Sequence, residues 1–526
     1  MRLFRMNFSQ ARPRLVQAGA ALAAAVLVAG CGGNYRPTVT PINPTGPPAQ
    51  PQSLAVVVSA PSITAPGIVR VVDYAGDSVM AEAPIGPGPS AFSMNVNGGF
   101  AFTLNSDGTI TNFSASTSLQ AKNVVYTTLP STAEPVNLFS SATGLWAADL
   151  CATDPPAIPC NPLIHSGVDV FSGNPQTFLR SIPLAPTPVM VLGPGAGGQR
   201  YFSISQGNQA NGLAANVSSG VACNISPSTV GVNGEADGIE TSSDTVSSQI
   251  QLGQCPVYAV ESSDGRRLFV LNRGSDTVTV IDTQKDALDA CSGLVNQNGQ
   301  PIVCHPSLPV SPAPGLTHAG PVYAEYNAAT SQLVVANYDG NSISVIDVSL
   351  DEYGNDSSTF GTTFTIPVGN NQASVTVLND GSRAYTANQA DGTVSIVNLS
   401  SHTVEKAALP VIGHPRTVVS TQDSSYGKVY VASPDSPFLT IIRTDQDIVD
   451  TSVLVEGNVV DVRVTTQNGS SGSNANNESR IPGYGQPCNL PDVPGGYQVA
   501  GAPPGTTVEP SSKLTDCQAQ DAALLK

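Results

Sequence analysis

The feature that most limits what this chain can fold into is a unit that recurs through its second half. One copy runs Pro256-Val257-Tyr258-Ala259-Val260, Ser263-Asp264-Gly265, Arg267-Leu268-Phe269-Val270-Leu271-Asn272 and Asp276-Thr277-Val278-Thr279-Val280-Ile281-Asp282. The next begins at Pro321 and carries Leu333-Val334-Val335-Ala336-Asn337 and Ser342-Ile343-Ser344-Val345-Ile346-Asp347. A third spans Ala373 to Asn398 and a fourth spans Pro415 to Ile442. Each copy is built from short alternating runs, the period of a β-strand. Asp-Gly joins its first two strands, because Gly accepts the positive φ that a tight hairpin needs. A second polar turn precedes the third strand, and the variable stretch before the next copy supplies a fourth. A repeat of this size cannot bury its apolar surface alone, so the copies must stack against one another. Four antiparallel strands per copy make a propeller blade.

Composition agrees with this reading. Charged residues make up 12% of the chain, against about 25% in ordinary soluble domains. Small polar and β-branched residues dominate, which suits strands and turns rather than helical bundles. At 40% hydrophobic residues the chain can bury a large core, which excludes wholesale disorder. Gly (49) and Pro (43) show no strict period, which excludes collagen.

The repeat resembles the YVTN-type β-propeller family. The residues that carry the likeness are Phe269-Val270-Leu271-Asn272, Val335-Ala336-Asn337 and Tyr385-Thr386-Ala387-Asn388, each followed by an alternating hydroxyl and aliphatic strand. Phe100-Ala101-Phe102-Thr103-Leu104-Asn105 with Asp107-Gly108-Thr109-Ile110 fits upstream. Leu145-Trp146-Ala147-Ala148-Asp149 and Tyr201-Phe202-Ser203-Ile204-Ser205 are read as second strands of two blades interrupted by insertions. Blade starts near Pro89, Pro135, Pro188, Pro256, Pro321, Gln372 and Pro415 predict an all-β, seven-bladed propeller of four-stranded antiparallel blades over 53–465. The runs 54–58 and 68–73 are expected to close the ring on the last blade, whose own final strands are placed near 452–465. Trp146 is the only Trp, so no WD repeat exists.

The N-terminus reads as an address. Residues 1–30 hold Arg2, Arg5, Arg12 and Arg14 and no acid, then an apolar stretch from Ala18 to Ala29, shorter than a membrane span. The end, Leu27-Val28-Ala29-Gly30-Cys31, resembles a bacterial lipobox, which predicts a lipoprotein signal peptide, lipidation at Cys31 and a membrane anchor through that lipid. Gly32 after the Cys resembles sorting to an outer membrane. Residues 31–52 form a Pro-rich stalk, and residues 466–526 an irregular tail. The expected location is the bacterial cell envelope. Net charge is −17, and removal of four Arg makes the mature chain more acidic still, so it repels phosphate backbones; no nucleic-acid partner is expected.

Eight Cys remain: Cys151, Cys160, Cys223, Cys255, Cys291, Cys304, Cys488 and Cys517. An even count in an exported chain predicts disulfides, and sequence grouping favours 151–160, 223–255, 291–304 and 488–517. No pair has C-x-x-C spacing and Cys304-His305 has no second ligand nearby, so no metal and no cofactor are expected. Gly193-x-Gly195-x-x-Gly198 precedes a strand rather than a helix and is read as a hairpin. Asp351-Glu352 with Asn355-Asp356 lacks EF-hand spacing and is read as a solvated loop.

Chemistry is sparse. In a propeller, loops before the innermost strands gather at one mouth of the channel. His318, before Pro321, and His414, before Pro415, occupy such loops, with Glu325 and Arg416 beside them. Each also fits a locally satisfied loop or strand residue. Together they would bind a small polar ligand or supply acid–base chemistry. The chain is therefore read as a monomeric, envelope-displayed binding or scaffold module for a small polar ligand or an envelope protein. The alternative is a lactonase-like hydrolase with His318, Glu325, His414 and Arg416 as its candidate residues, an activity that the resemblance to seven-bladed lactone hydrolases implies.

Overall fold

The alternation in the sequence becomes strand almost everywhere in the computed structural model. It describes residues 54–62, 65–95, 99–129, 133–140, 144–152, 164–184, 187–193, 200–207, 233–291, 303–421 and 423–465, and the backbone of a small ladder, Tyr497–Gln498 with Thr507–Val508. Among these residues all regular structure is β except one 3₁₀ turn, Ala121–Asn123. The signal segment, Cys31, the stalk, the side chains of the tail and residues 194–199 lie outside the described residues.

Eight antiparallel blades form the propeller, seven of four strands and one, over 256–309, whose third strand pairs with both Ala287–Leu288 and Ser307–Pro309. Blades 2 to 8 are consecutive in sequence, over 91–128, 135–183, 188–254, 256–309, 321–367, 372–410 and 417–454. Blade 1 joins Leu54–Ala60, Pro66–Asp73 and Val79–Pro87 to Asn458–Val464 from the far end of the chain. The count is thus eight, not the seven predicted. The last blade is complete without help, because Ile448–Leu454 pairs with Phe438–Arg443 as its outermost strand. Asn458–Val464 therefore pairs with Leu54–Ala60, Val57 opposite Val462, and becomes the innermost strand of a separate blade. A blade whose first strand comes last in the chain has no starting Pro to mark it, which is why the count of Pro-marked starts fell one short.

Leu54–Ala60 is an almost unbroken apolar run because both its faces are covered. Val56 and Val58 pack with Phe92 and Met94 of blade 2, while Ala55 and Val57 pack with Val419, Tyr430 and Ile441 of blade 8. The same logic gives one core that runs from Val136 of blade 3 to Leu399 of blade 7. Each fully buried aliphatic side chain contributes about 1.5–3 kcal/mol of transfer free energy.

Side chains from neighbouring blades satisfy the free edges of the innermost strands. Ser374 Oγ accepts from Val418 N (3.0 Å) and donates to Arg416 O (2.8 Å). Asn137 Oδ1 accepts from Val191 N at 3.2 Å, and Asn327 Nδ2 donates to Leu378 O at 2.8 Å. Buried backbone groups must find partners, and an open edge would otherwise be left without them.

Two further devices recur. The Asn that ends the second strand donates from Nδ2 to the first and third hydroxyls of the next strand. Asn105 reaches Thr109 and Thr111, Asn272 reaches Thr277 and Thr279, Asn337 reaches Ser342 and Ser344, and Asn388 reaches Thr393 and Ser395, all within 2.7–3.2 Å. On the opposite face, the basic residue that opens a blade's second strand reaches the loop after the third strand of the next blade. The pairs are Arg200–Asp286 (3.1 Å), Arg267–Asp356 (3.4 Å), Arg383–Asp447 (2.6 Å) and Lys428–Asp77 (2.6 Å).

Candidate functional site

In every complete blade the turn between strands two and three and the connection to the next blade emerge on one side of the ring. In blades 2, 5, 6 and 7 that turn is short: 105–108, 273–276, 338–341 and 389–392. In the adjacent blades 3 and 4 the second and third strands are separated by residues 150–166 and 206–232, most of which lie outside the described residues.

The connection before blade 6 places His318 in the seam between blades 5 and 6. Its Nδ1 lies 2.7 Å from Asp276 Oδ2, and its Nε2 lies 3.8 Å from Asp339 Oδ2. Asp276 Oδ1 accepts from Ala319 N and Gly320 N at 2.9 and 2.8 Å, so the carboxylate also fixes the loop that carries the imidazole. Asp339 is clamped by Arg273, Nε and Nη2 each donating at 2.8 Å, and the guanidinium lies 5.3 Å from the Tyr338 ring centroid. Bidentate pairing and stacking hold this group rigidly.

His414 repeats the arrangement on blade 8. Its Nδ1 is 2.5 Å from Asp435 Oδ2, and its backbone N donates to Asp435 Oδ1 at 2.7 Å. The hydrogen bond to Asp435 raises the imidazole's pKa above its ordinary value, against the opposing effect of burial. Burial pushes the Asp435 carboxyl up, but the His414 imidazole and backbone N–H outweigh it and hold it below its ordinary value. The His414 side chain is 60% exposed, so Nε2 faces solvent while Nδ1 is fixed.

The four predicted residues sit in different surroundings. His318 and His414 each hold a carboxylate of an adjoining turn, and neither bonds to the other, to Glu325 or to Arg416. Glu325 is buried in the innermost strand of blade 6, Pro321–Asn327. Arg416 is buried at the entry to blade 8 and donates to Val460 O of blade 1 at 3.4 Å. Sequence reading missed the partners Arg273, Asp276, Asp339 and Asp435. Their signal was present, since each lies in the polar turn after a second strand, but those turns were read only as hairpin punctuation.

Other polar groups lie on the opposite face. Arg267 sits among Asp282, Asp289 and Asp356, and His305 Nδ1 lies 2.7 Å from Asp356 Oδ2. Burial and the nearby Asp356 charge push the Asp289 carboxyl up to about 6, with Arg267 opposing. Asp351 Oδ1 accepts from Tyr353 N and Asn355 N, so it caps its own loop, while Asp356 turns inward. The Cys291–Cys304 bridge links the chain between Ala287–Leu288 and Ser307–Pro309, a sequence separation of 13. Cys151 and Cys255 are also disulfide-bonded; Cys160, Cys223, Cys488 and Cys517 lie outside the described residues. Among the described residues no group of three or more His, Cys, Asp or Glu is placed to hold a metal ion, and no helix is long and apolar enough to cross a membrane.

No family model matches the chain, and no curated protein matches it. Solved structures do. Apo AztD from Citrobacter koseri is 12% identical over 80% of this chain and 99% of that one, with a TM-score of 0.51. The dihydro-heme d1 dehydrogenase NirN, in complex with DHE, is 14% identical over 81% of this chain and 78% of that one, with a TM-score of 0.52. The periplasmic gluconolactonase PpgL of Pseudomonas aeruginosa is 12% identical over 79% and 99%, at a TM-score of 0.44. At such identities the first two likenesses support the propeller fold and nothing finer.

Proposed function

We propose that the protein is a cell-envelope lipoprotein of the YVTN type. Residues 1–30 direct export, Cys31 carries the lipid, and the stalk holds a monomeric propeller clear of the membrane as a binding module for a small polar ligand. The observation that carries the binding reading is the make-up of one face. It carries two imidazoles fixed at Nδ1 by carboxylates, His318 by Asp276 and His414 by Asp435. At His414, whose side chain is 60% exposed, such a pair presents an oriented Nε2 at little entropic cost to a hydroxyl or carboxylate ligand, whereas the His318 Nε2 is buried beside Asp339. The second reading, lactone hydrolysis, is favoured by His414 alone, because a carboxylate-held imidazole with its other nitrogen in water has the form of a general base.

One experiment separates these. The purified full-length chain in detergent is screened by thermal shift against small hydroxy acids, sugar acids and their lactones, with turnover followed in parallel. Binding predicts a stabilising ligand whose shift shrinks in His318→Ala or His414→Ala without turnover. Hydrolysis predicts lactone turnover that rises with pH as His414 loses its proton and is lost in His414→Ala. A ligand shift that neither substitution alters removes this face as the site. Turnover unchanged by His414→Ala removes the hydrolase reading.

A further inference from the structure

Blade 5 departs from the others at its outer edge. Elsewhere the fourth strand is one run of four to ten residues. Here the third strand, Thr277–Asp282, is covered in two pieces. Ala287–Leu288 pairs with Ile281 and Asp282, and Ser307–Pro309 pairs with Thr277, Val278 and Thr279. Val280, between them, donates from its N to Pro306 O at 3.0 Å and accepts at its O from Asp289 N at 2.9 Å. Pieces of two and three residues hold few ladder bonds, so their placement needs other support. The Cys291–Cys304 disulfide supplies it, because it ties the chain leaving one piece to the chain entering the other.

The second piece also reaches across a seam. Cys304 is followed by His305, whose Nδ1 lies 2.7 Å from Asp356 Oδ2 and whose ring stacks on Phe360, centroids 5.2 Å apart. Both partners belong to residues 348–362, the loop after the third strand of blade 6. The approach is close: a Cβ on Gly361, whose φ is 82°, would lie 3.3 Å from His305 Cδ2 and 3.1 Å from Leu308 Cδ2. On the first piece, Asp289 Oδ2 accepts from His305 N at 3.4 Å. Asp289 Oδ1 lies 3.3 Å from Arg267 Nη2, which also lies 3.4 Å from Asp356 Oδ1. Asp356 is thus gripped twice. Arg267 comes from the second strand, inside the blade, whereas His305 comes from the edge and is in place only while the two pieces stay side by side.

We propose that Cys291–Cys304 is a thiol-responsive clasp: the bridge keeps His305 on blade 6, and exchange with a dithiol releases the loop 348–362. One thiolate of the dithiol attacks the Cys304 sulfur. That end is the more accessible, since Cys304 is half-buried and adjoins exposed Val303, whereas Cys291 is buried. The S–S bond breaks, Cys291 leaves as a thiolate, and a mixed disulfide forms on Cys304. The second thiol of the donor then displaces Cys304, and the donor departs as its own disulfide. Two electrons pass to the protein, and two protons end on Cys291 and Cys304. The cross-link no longer limits the chain between them, so the two pieces gain conformational freedom and His305 leaves Asp356 and Phe360. Arg267 keeps its own carboxylates, so the blades stay packed while the loop opens. The clasp lies on the face opposite His318 and His414 and does not depend on what they bind.

Hydrogen exchange of the full-length protein in detergent tests the clasp. Ser357 N, Phe360 N and Gly361 N donate to Ser349 O, Ser357 O and Asp347 O, so the segment 354–361 reports whether the loop is closed. Cys291→Ser with Cys304→Ser removes this bridge and leaves the other disulfides. In that variant protection of 354–361 should fall about tenfold, the scale of one lost hydrogen bond to a charged group. Strands Arg267–Asn272 and Gln332–Asn337 should be unchanged. His305→Ala should give the same fall with the bridge intact, and combining the changes should add nothing. Wild type treated with dithiothreitol should match the double Ser variant at this segment. Unchanged protection of 354–361 in that variant, or losses that add independently, overturns the proposal. So does a loss that spreads into Gln332–Asn337, because the bridge would then support the blade rather than hold a clasp. Should the double Ser variant not fold, the dithiothreitol response of wild type is compared with that of His305→Ala, and an equal response at 354–361 overturns the clasp.

Discussion

A single Asn explains why the repeat looks as it does. Asn337 is fully buried, and its Nδ2 ties Ser342 Oγ at 3.0 Å to Ser344 Oγ at 2.9 Å across the turn. The alternation of hydroxyl and aliphatic residues is therefore two patterns in one. The aliphatic positions face the core, and the hydroxyls receive the amide of the preceding strand. Asn337→Ala should lower the unfolding free energy by about 2 kcal/mol, because it strands buried hydroxyls as well as removing the bonds. Asn337→Asp should behave differently. A carboxyl there would sit at a fully buried position, where burial disfavours its charged form, so its cost should grow as pH rises above the ordinary carboxyl range. Urea unfolding of both variants at acid and neutral pH checks this; parallel losses at both pH values refute the charge argument. The Asn was legible in the sequence as a repeated letter. Its bonding was not, and Asp149 was read only as the last residue of a second strand, because a strand that ends in Asp or Asn has the same alternation.

Between elements, the seams rest on a pairing that no local window reveals. Arg383 and Asp447 are 64 residues apart in sequence, and Lys428 and Asp77 are 351 apart. The strands themselves were legible from alternation and Asp-Gly turns, and Gly265 (φ 66°) and Gly381 (φ 69°) adopt the left-handed conformation that those turns demand. The clamps were not, because each links a strand to the loop of the next blade. Asp77, Asp286 and Asp447 also sit at φ of 48–55°, so one residue both turns the chain and holds the neighbouring blade. Exposure should decide what such a pair contributes. Arg383 Nη1 lies 2.6 Å from Asp447 Oδ2 and also donates to Thr444 O, and its side chain is 15% exposed. Arg443–Asp445 is equally short at 2.6 Å but is 40% and 31% exposed. Arg383→Ala should cost about 3 kcal/mol, since it leaves a largely buried carboxylate without its cation and held only by the Tyr385 hydroxyl, whereas Arg443→Ala should cost less than about 1 kcal/mol. Denaturant midpoints at matched salt measure both, and equal losses would show that the seam clamp has no special role.

At the scale of the molecule, the ring is closed by its two ends. Blade 1 takes three strands from the start of the described chain and one from its end, and Arg463 fastens that blade to the next through Phe92 O at 2.7 Å while its guanidinium stacks on the Phe92 ring. The all-β propeller was legible because each blade repeats a local pattern; the number of blades was not, because closure pairs residues some 400 positions apart, such as Leu54 and Thr465 with a separation of 411. Closure predicts a specific covalent shortcut. Ala55 lies opposite Val464 in the ladder, and both side chains belong to the same buried cluster. Ala55→Cys with Val464→Cys should therefore oxidise to a bridge within blade 1. By restricting an unfolded loop that spans nearly the whole propeller, that bridge should raise stability by about 2–4 kcal/mol, less any native strain. Had Asn458–Val464 been the last strand of blade 8, position 464 would face strand 448–454 instead, and the pair would stay reduced. Mass spectrometry of the oxidised double variant, with thermal unfolding before and after reduction, distinguishes the two arrangements. A bridge that forms and stabilises requires Leu54–Ala60 and Asn458–Val464 to be neighbouring strands of one sheet, as they are in blade 1.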